Sequence, residues 1–248
     1  MRALLDDVLC AFGVLTRLPL PQRERHEAMQ SRSVWAYPLV GAVVGALGAG
    51  VLFAAHQAGL YGMLAAGLAL GVQIIVTGGL HEDGLADVAD GFGGGRTKAD
   101  KLEIMRDSRI GAYGVIALIL VIGLRWSAIA ALGLGEAVAA LIVSGVLGRV
   151  AIAGLPLLLA PARSSGLGAT IANPPVAAVG GAVIIGLGLA LALMPLPKFA
   201  AIIFVMAVCA AIFARLARQQ IGGYTGDVLG ACEQVTETAI LLTLAAIA

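Results

Sequence analysis

The sequence predicts an all-α, polytopic integral membrane bundle of six to seven transmembrane helices, preceded by an N-terminal amphipathic helix. Three observations predict it. The 248 residues are 60% hydrophobic and only 12% charged, with a mean hydropathy of +0.97. A soluble domain is typically about 45–50% apolar and about 25% charged. Half the usual charge cannot solvate a globule of this size, which argues against a soluble enzyme, a disordered chain and a nucleic-acid binder. A formal net charge of +1 adds no case for an anionic polymer as partner. The 34 glycines, with abundant alanine, suit helices that approach closely in lipid. Aromatics at 5% argue against a β-barrel with aromatic girdles.

The opening MRALLDDVLCAFGVLTRLPLP resembles a signal peptide, but Asp6 and Asp7 interrupt the basic-then-apolar order and no small-residue cleavage site follows. Leu5, Val8, Leu9, Phe12 and Leu15 recur at helical spacing, so this segment is read as an amphipathic helix retained at the cytoplasmic interface. A span needs about 20 apolar residues, and such runs follow near 36–56, 60–80, 110–132, 136–160, 176–196 and 198–215. The stretch 227–248 is fully apolar only from Thr238. As one helix it would be roughly 33 Å long, enough to cross, with its polar first two turns against protein rather than lipid.

Positive charge tests that order. With seven alternating spans, segments 17–35, 81–109, 161–175 and 215–226 share one side and hold twelve of the sixteen basic residues, Arg23 and Arg25 among them. The opposite loops hold only Lys198. The positive-inside rule makes the first side cytoplasmic, which implies an inner-membrane protein. A single domain over 1–248 is expected, without internal repeats. Cys10, Cys209 and Cys232 are odd in number, lack a CxxC spacing and lie in or beside apolar stretches, so they are read as small core residues. His26 and His56 adjoin no such carboxylate cluster and are read as surface and interfacial.

Chemistry gathers at 81–109, the one long interruption. In GGLHEDGLADVADGFGGG, Asp83, Asp87 and Asp90 stand at i, i+4 and i+7, within roughly 60° of one another on a helix, and Glu82 points about 100° away. Carboxylates sharing a face repel unless a cation lies between them. Mg²⁺ takes a few carboxylates together with substrate phosphate oxygens. A solvated helix face would be the ordinary reading in a soluble protein. Here charge is scarce and the cluster adjoins an apolar span, where carboxylates are functional by default. His81 would serve as general base or proton shuttle, as an orienting residue or as a metal ligand.

The string KLEIMRDSRIGAYG then places Arg106, Asp107 and Arg109 before a span. Positive-inside anchoring accounts for Arg96 and Lys98. Arg106 and Arg109 beside the carboxylates also suit bidentate phosphate binding, with Asp107 joining the metal site. A second acidic patch opens the last helix, where Asp227, Gln234 and Glu237 share a broad face and Glu233 lies off it. Gly222, Gly223, Gly226 and Gly230 leave room for a close neighbour, so two acidic helix starts would converge on one side. Arg149 lies inside an apolar span and should pair or line a cavity, whereas Arg125 would snorkel beside Trp126.

These blocks resemble the cobalamin synthase family, the adenosylcobinamide-GDP ribazoletransferases. The resemblance covers nearly the whole chain, through LTRLP at Leu15–Pro19, YPLVG at Tyr37–Gly41, GGLHEDGLADVADG at Gly78–Gly91, LEIMRDSRIGAYG at Leu102–Gly114, SGLG at Ser165–Gly168 and GDVLGA at Gly226–Ala231. It implies that Glu82 need not be acidic and that Gln234 replaces a glutamate of some relatives. It further implies a Mg²⁺-dependent reaction at the cytoplasmic membrane. A hydroxyl of α-ribazole, or of its 5′-phosphate, attacks the corrinoid-side phosphorus of adenosylcobinamide-GDP; GMP leaves, and adenosylcobalamin or its 5′-phosphate forms. On this reading Asp83, Asp87 and Asp90 bind metal with Asp107, Asp227 and Glu237, and His81 or a carboxylate takes the proton. Arg17, Arg106, Arg109, Arg149 and Gln234 bind substrate. The partners are those two small molecules and the lipid bilayer.

A transporter of a cation or phosphorylated metabolite is the competing class. It does not explain polar residues collected at one membrane face, since transporters place ions near the midplane between repeats. A pathway scaffold would need no aspartate triad. Gly41-x-x-x-Gly45 would pack helices within or between subunits, leaving a homo-oligomer open.

Overall fold

A computed structural model describes residues 2–21 and 27–248; Arg23, Arg25 and His26 lie outside the described residues. The described chain forms α1 (Arg2–Leu15), α2 (Glu27–Arg32), α3 (Tyr37–Gln57), α4 (Met63–Thr77), α5 (Leu80–Gly94) and α6 (Lys98–Ile104). It continues through α7 (Ala112–Ala131), α8 (Leu134–Leu158), α9 (Leu167–Thr170), α10 (Val176–Leu193), α11 (Leu196–Ile221) and α12 (Gly226–Ala246). A 3₁₀ turn at Ser33–Ala36 joins α2 to α3, and among the described residues there is no strand beyond an isolated bridge between Pro161 and Tyr224. Among the described residues, six segments are long and apolar enough to cross a membrane: Ala28–Gln57, α7, α8, α10, α11 and α12. The pair α4 and α5, bent by 87°, supplies a seventh if counted as one broken span.

That bend is where the predicted span 60–80 departs from a straight helix. At about 1.5 Å per residue, α4 is roughly 22 Å long, short of a hydrocarbon core of about 30 Å. It ends in a Schellman turn: Gly78 N donates to the Ile75 carbonyl at 3.1 Å and Gly79 N to the Ile74 carbonyl at 3.0 Å. Gly78 and Gly79 have φ of +67° and +68°, the left-handed region that glycine enters without a Cβ penalty. The chain re-enters a helix at once. The stretch 81–109 is therefore mostly helical, with α6 opened by a capping box of Thr97 and Asp100.

Small residues set the helix spacing. A Cβ on Gly41 would lie 2.2 Å from the Gly145 carbonyl oxygen, and one on Gly45 would lie 2.5 Å from that of Leu141. The Gly41-x-x-x-Gly45 stripe thus packs α3 on α8 within this chain. Ile119 of α7, Ile184 of α10 and Phe204 of α11 remain largely exposed, as side chains facing lipid would. The polar first turns of α12 are enclosed by protein, as its composition requires. The three cysteines are buried.

Helix α1 lies over the same end of the bundle as the site described below. Its Asp7 is buried and accepts from Arg32 Nη2 at 2.7 Å and from Trp35 Nε1 at 3.1 Å. Ala11 and Leu15 enter the core, while Leu4 and Leu5 stay exposed. The backbone N of Arg17 donates to the Val76 carbonyl at 2.7 Å, tying this helix to the α4–α5 bend.

Candidate active site

The site is built where α5 crosses α12 at glycine distance. A Cβ on Gly84 would lie 2.8 Å from the Asp227 carbonyl oxygen, and one on Gly230 would lie 3.2 Å from His81 Cα. Any larger residue would push the helices apart. The crossing brings the carboxylates of Asp83, Asp87 and Asp227 within Coulombic reach of one another, with Arg163 opposing them. Asp83 is exposed and Asp87 half-buried. Neither has a hydrogen-bond or ion-pair partner among the described residues.

Asp227 is held more firmly. The Thr225 hydroxyl caps α12 by accepting from Val228 N at 3.2 Å and donates to Asp227 Oδ2 at 3.1 Å. Arg163 Nη1 stands 3.5 Å from the same oxygen, and its Nη2 donates to the Leu102 carbonyl at 2.9 Å. Two backbone bonds carry Arg163 to this position, from Ala162 N to the Tyr224 carbonyl at 2.7 Å and from Tyr224 N to the Ala160 carbonyl at 3.0 Å. Burial lowers the pKa of Arg163, and the neighbouring Asp227 works against that. Of the three carboxylates only Asp227 is in ion-pair contact with Arg163 among the described residues, and Arg17 and Arg106 stand unpaired in the groove beside the other two.

Two cavities flank these carboxylates. One is the more enclosed, with about 840 Å³ of empty space that runs out to solvent, lined by Leu15, Ile152, Ile171 and Leu229 and by His81, Asp83, Arg163 and Asp227. The other is an open groove of about 1190 Å³ containing Asp83, Asp87, Arg17 and Arg106. The Arg17 side chain lies against Gly78.

Several residues predicted for the site are elsewhere. Asp90 caps a helix from outside: its Oδ2 accepts from Gly111 N at 2.7 Å and its Oδ1 from Gly114 N at 2.9 Å, which satisfies the first amides of α7. Asp107 pairs with Arg109 at 2.6 Å on an exposed loop, and that guanidinium holds the Asp107 carboxyl down at about 2. Both have their charge satisfied locally, although Asp107 lines the open groove with Asp83 and Asp87, and Asp90 lies within Coulombic reach of Asp87.

Glu237, Gln234 and Arg149, expected beside Asp227 and substrate, sit deeper, in a buried network between α5, α7, α8 and α12. Arg149 Nη1 donates to Glu233 and Glu237, and Arg125 Nη2 donates to Glu237. Arg125 Nη1 donates to Gln234 Oε1 at 2.7 Å and lies 3.4 Å from Glu82 Oε1. Gln234 Nε2 donates to Glu82 Oε1 at 3.1 Å and Glu233 Oε2 at 3.0 Å. Arg125 therefore does not snorkel: it is 2% exposed, and three acceptors inside the bundle outweigh the far interface. Glu233, off the polar face by helical angle alone, is fully buried in the same network.

His81 joins the two regions. Its Nδ1 is 3.2 Å from Glu233 Oε2 and 3.3 Å from Arg149 Nη2, while its Nε2 has no partner and the residue lines the enclosed cavity. Sequence reasoning assigned no site role to Arg163, Tyr224 or the Arg125–Glu82 pairing. A signal existed for the last: two arginines and three glutamates near apolar spans nearly balance in charge, as buried charges must.

The fold and site together define a polytopic membrane protein with an anionic, arginine-flanked cavity at one end of its bundle. Comparison with known proteins makes the class particular. A profile of the cobalamin-5-phosphate synthase family matches residues 7–245. The chain is 46% identical to an adenosylcobinamide-GDP ribazoletransferase of Bradyrhizobium diazoefficiens over 99% of its own length and 95% of the relative's. It is 42% identical to a protein of the same name from Mesorhizobium japonicum, over 97% and 93%. The chain belongs to the cobalamin-5-phosphate synthase family. No solved structure matches it.

Proposed function

We propose that this protein is an adenosylcobinamide-GDP ribazoletransferase, working at the cytoplasmic face of the inner membrane. The observation that carries the reading is the carboxylate trio Asp83, Asp87 and Asp227 beside Arg163, in a chain so similar to proteins of that name. A ribose hydroxyl of α-ribazole, or of its 5′-phosphate, bonds to the corrinoid-side phosphorus of adenosylcobinamide-GDP. The bond from that phosphorus to the bridging oxygen breaks, GMP carries the oxygen away, and the hydroxyl loses its proton.

The donor set fits Mg²⁺: all three groups offer hard oxygen ligands, and two of them have no competing partner. No three acidic, histidine or cysteine side chains form a ready ligand shell among the described residues. That suits an ion that keeps waters and takes one or two carboxylates plus substrate phosphates. Asp83, Asp87 and Asp227 would hold it. When bound, the ion neutralises charge developing on the pyrophosphate oxygens.

The chain's own residues do the remainder. Arg163 and Arg106 bind phosphate oxygens, Arg17 closes the groove, and His81 stands with an unpartnered Nε2 to hold the hydroxyl proton. The arginines concentrated at this end of the bundle support the cytoplasmic orientation. Purified protein in detergent, given adenosylcobinamide-GDP, α-ribazole and Mg²⁺, should release one GMP per cobalamin product. No product with any divalent metal would overturn the reading and return the transporter.

A further inference from the structure

We propose that the two cavities divide the two substrates, the enclosed one holding the base and ribose of the acceptor and the open groove holding the donor's pyrophosphate. The inference rests on the ribazoletransferase reading and assigns its substrates to places.

The linings differ in chemistry. The enclosed cavity is floored by aliphatic side chains, with Leu15 from α1, Ile152 from α8 and Leu229 from α12. Such side chains suit the uncharged aromatic base of a riboside. Above them stand three buried polar atoms without partners, His81 Nε2, Arg163 Nε and Tyr224 Oη. Tyr224 is only 1% exposed, so water does not readily serve its hydroxyl. A buried polar atom left unmatched is costly, and the hydroxyls of a riboside would match all three. These groups are spaced around one cavity, whereas a structural network would have paired them with each other.

The groove has the opposite character. Arg17 and Arg106 are exposed there with no side-chain hydrogen bond or ion pair among the described residues, beside Asp83 and Asp87. Paired guanidinium and carboxylate chemistry suits a pyrophosphate with its cation. Size points the same way. The more enclosed cavity suits the smaller of the two substrates, a riboside. A corrinoid joined to a nucleotide needs an open surface.

Leu80 and Asp83 line both cavities, so the two adjoin at these side chains. Acceptor and donor would thus meet at Asp83 from opposite sides, the arrangement an in-line displacement requires. The acceptor oxygen bonds to phosphorus at that boundary, the bond to the bridging oxygen breaks, GMP departs along the groove, and the hydroxyl proton passes to His81 Nε2.

The test uses two exposed loop serines at the cavity mouths, Ser165 at the enclosed one and Ser108 at the groove. In the full-length protein in detergent, Ser165→Trp should raise the Kd of α-ribazole, measured by calorimetry without donor, by at least about tenfold, and its KM likewise. The KM for adenosylcobinamide-GDP should stay within about twofold, and that unchanged value shows the variant is folded. Ser108→Trp should give the reverse pattern. Tyr224→Phe, which keeps the ring, should weaken α-ribazole binding about fivefold and leave the donor KM unchanged. A crossed pattern, or equal shifts for both substrates in both variants, would overturn the division while leaving the activity standing. A wild-type protein that binds neither compound and forms no product would instead overturn the ribazoletransferase reading.

Discussion

Helices α5 and α12 each contribute carboxylates to two regions that treat them oppositely. Toward the bundle interior, Glu82, Glu233 and Glu237 meet Arg125, Arg149, Gln234 and His81, and each makes at least one polar contact inside the protein. At the bundle end, Asp83 and Asp87 form no hydrogen bond or ion pair among the described residues, and Asp227 has only a long contact to Arg163 and a hydroxyl. The depth of each region explains the difference. An unpaired charge inside a membrane bundle is prohibitively costly, so the inner carboxylates are matched by protein. At the rim, water and ions can solvate the charge until substrate arrives. On the proposed reading, the paired carboxylates of this helix pair are scaffold and the unpaired ones are kept for ligands.

Breaking the inner region should have the largest effect. Arg149→Met leaves Glu233 and Glu237 short of a counter-charge in a buried site and should cost about 3–5 kcal/mol. Thermal unfolding in detergent checks this, with a large fall in melting temperature expected; a stable, folded variant would erase the distinction. In the outer region the response should be catalytic. Asp227→Asn should lower kcat for GMP release by at least about tenfold, a loss of about 1.4 kcal/mol of transition-state stabilisation, with the melting curve unchanged.

Asp90 sharpens the comparison, because it lies on α5 in sequence register with Asp83 and Asp87 yet binds protein. Asp90→Ala removes the cap of α7 and should cost about 0.5–2 kcal/mol in stability, read again by melting. A catalytic loss as deep as that of Asp227→Asn without destabilisation would put Asp90 back with the trio. The smallest effect belongs to Asp107→Asn. Its partner Arg109 is solvent-exposed, and exposed pairs contribute little. GMP release should change by no more than about twofold.

Much of this was legible in the residues. Long apolar runs located the spans, and the i, i+4 spacing put Asp83 and Asp87 on one face with Asp227 converging from the last helix. What escaped depended on neighbours that one helix cannot report. The angle of Glu82 was read correctly as off the aspartate face, but only the packing of α7 and α12 shows that this direction leads to Arg125 and Gln234. Asp90 falls on the same helix face as Asp83 and Asp87, and the amides that claim it lie 21 and 24 residues on, at Gly111 and Gly114. Arg163 looked like one more positive-inside arginine until the Ala160–Tyr224 backbone bonds carried it to Asp227. The bend at Gly78–Gly79 hid inside an apolar run whose length alone suggested a full span.

The central claim is that the unpaired aspartates at the bundle end are the reactive site and the paired glutamates below are its support. The most direct measurement is GMP release from adenosylcobinamide-GDP and α-ribazole by purified Asp87→Asn, with Mg²⁺ titrated and the melting temperature recorded on the same sample. The account predicts a loss of about 10²–10³-fold in kcat at every Mg²⁺ concentration, with wild-type melting. Wild-type turnover by a folded Asp87→Asn protein would contradict it.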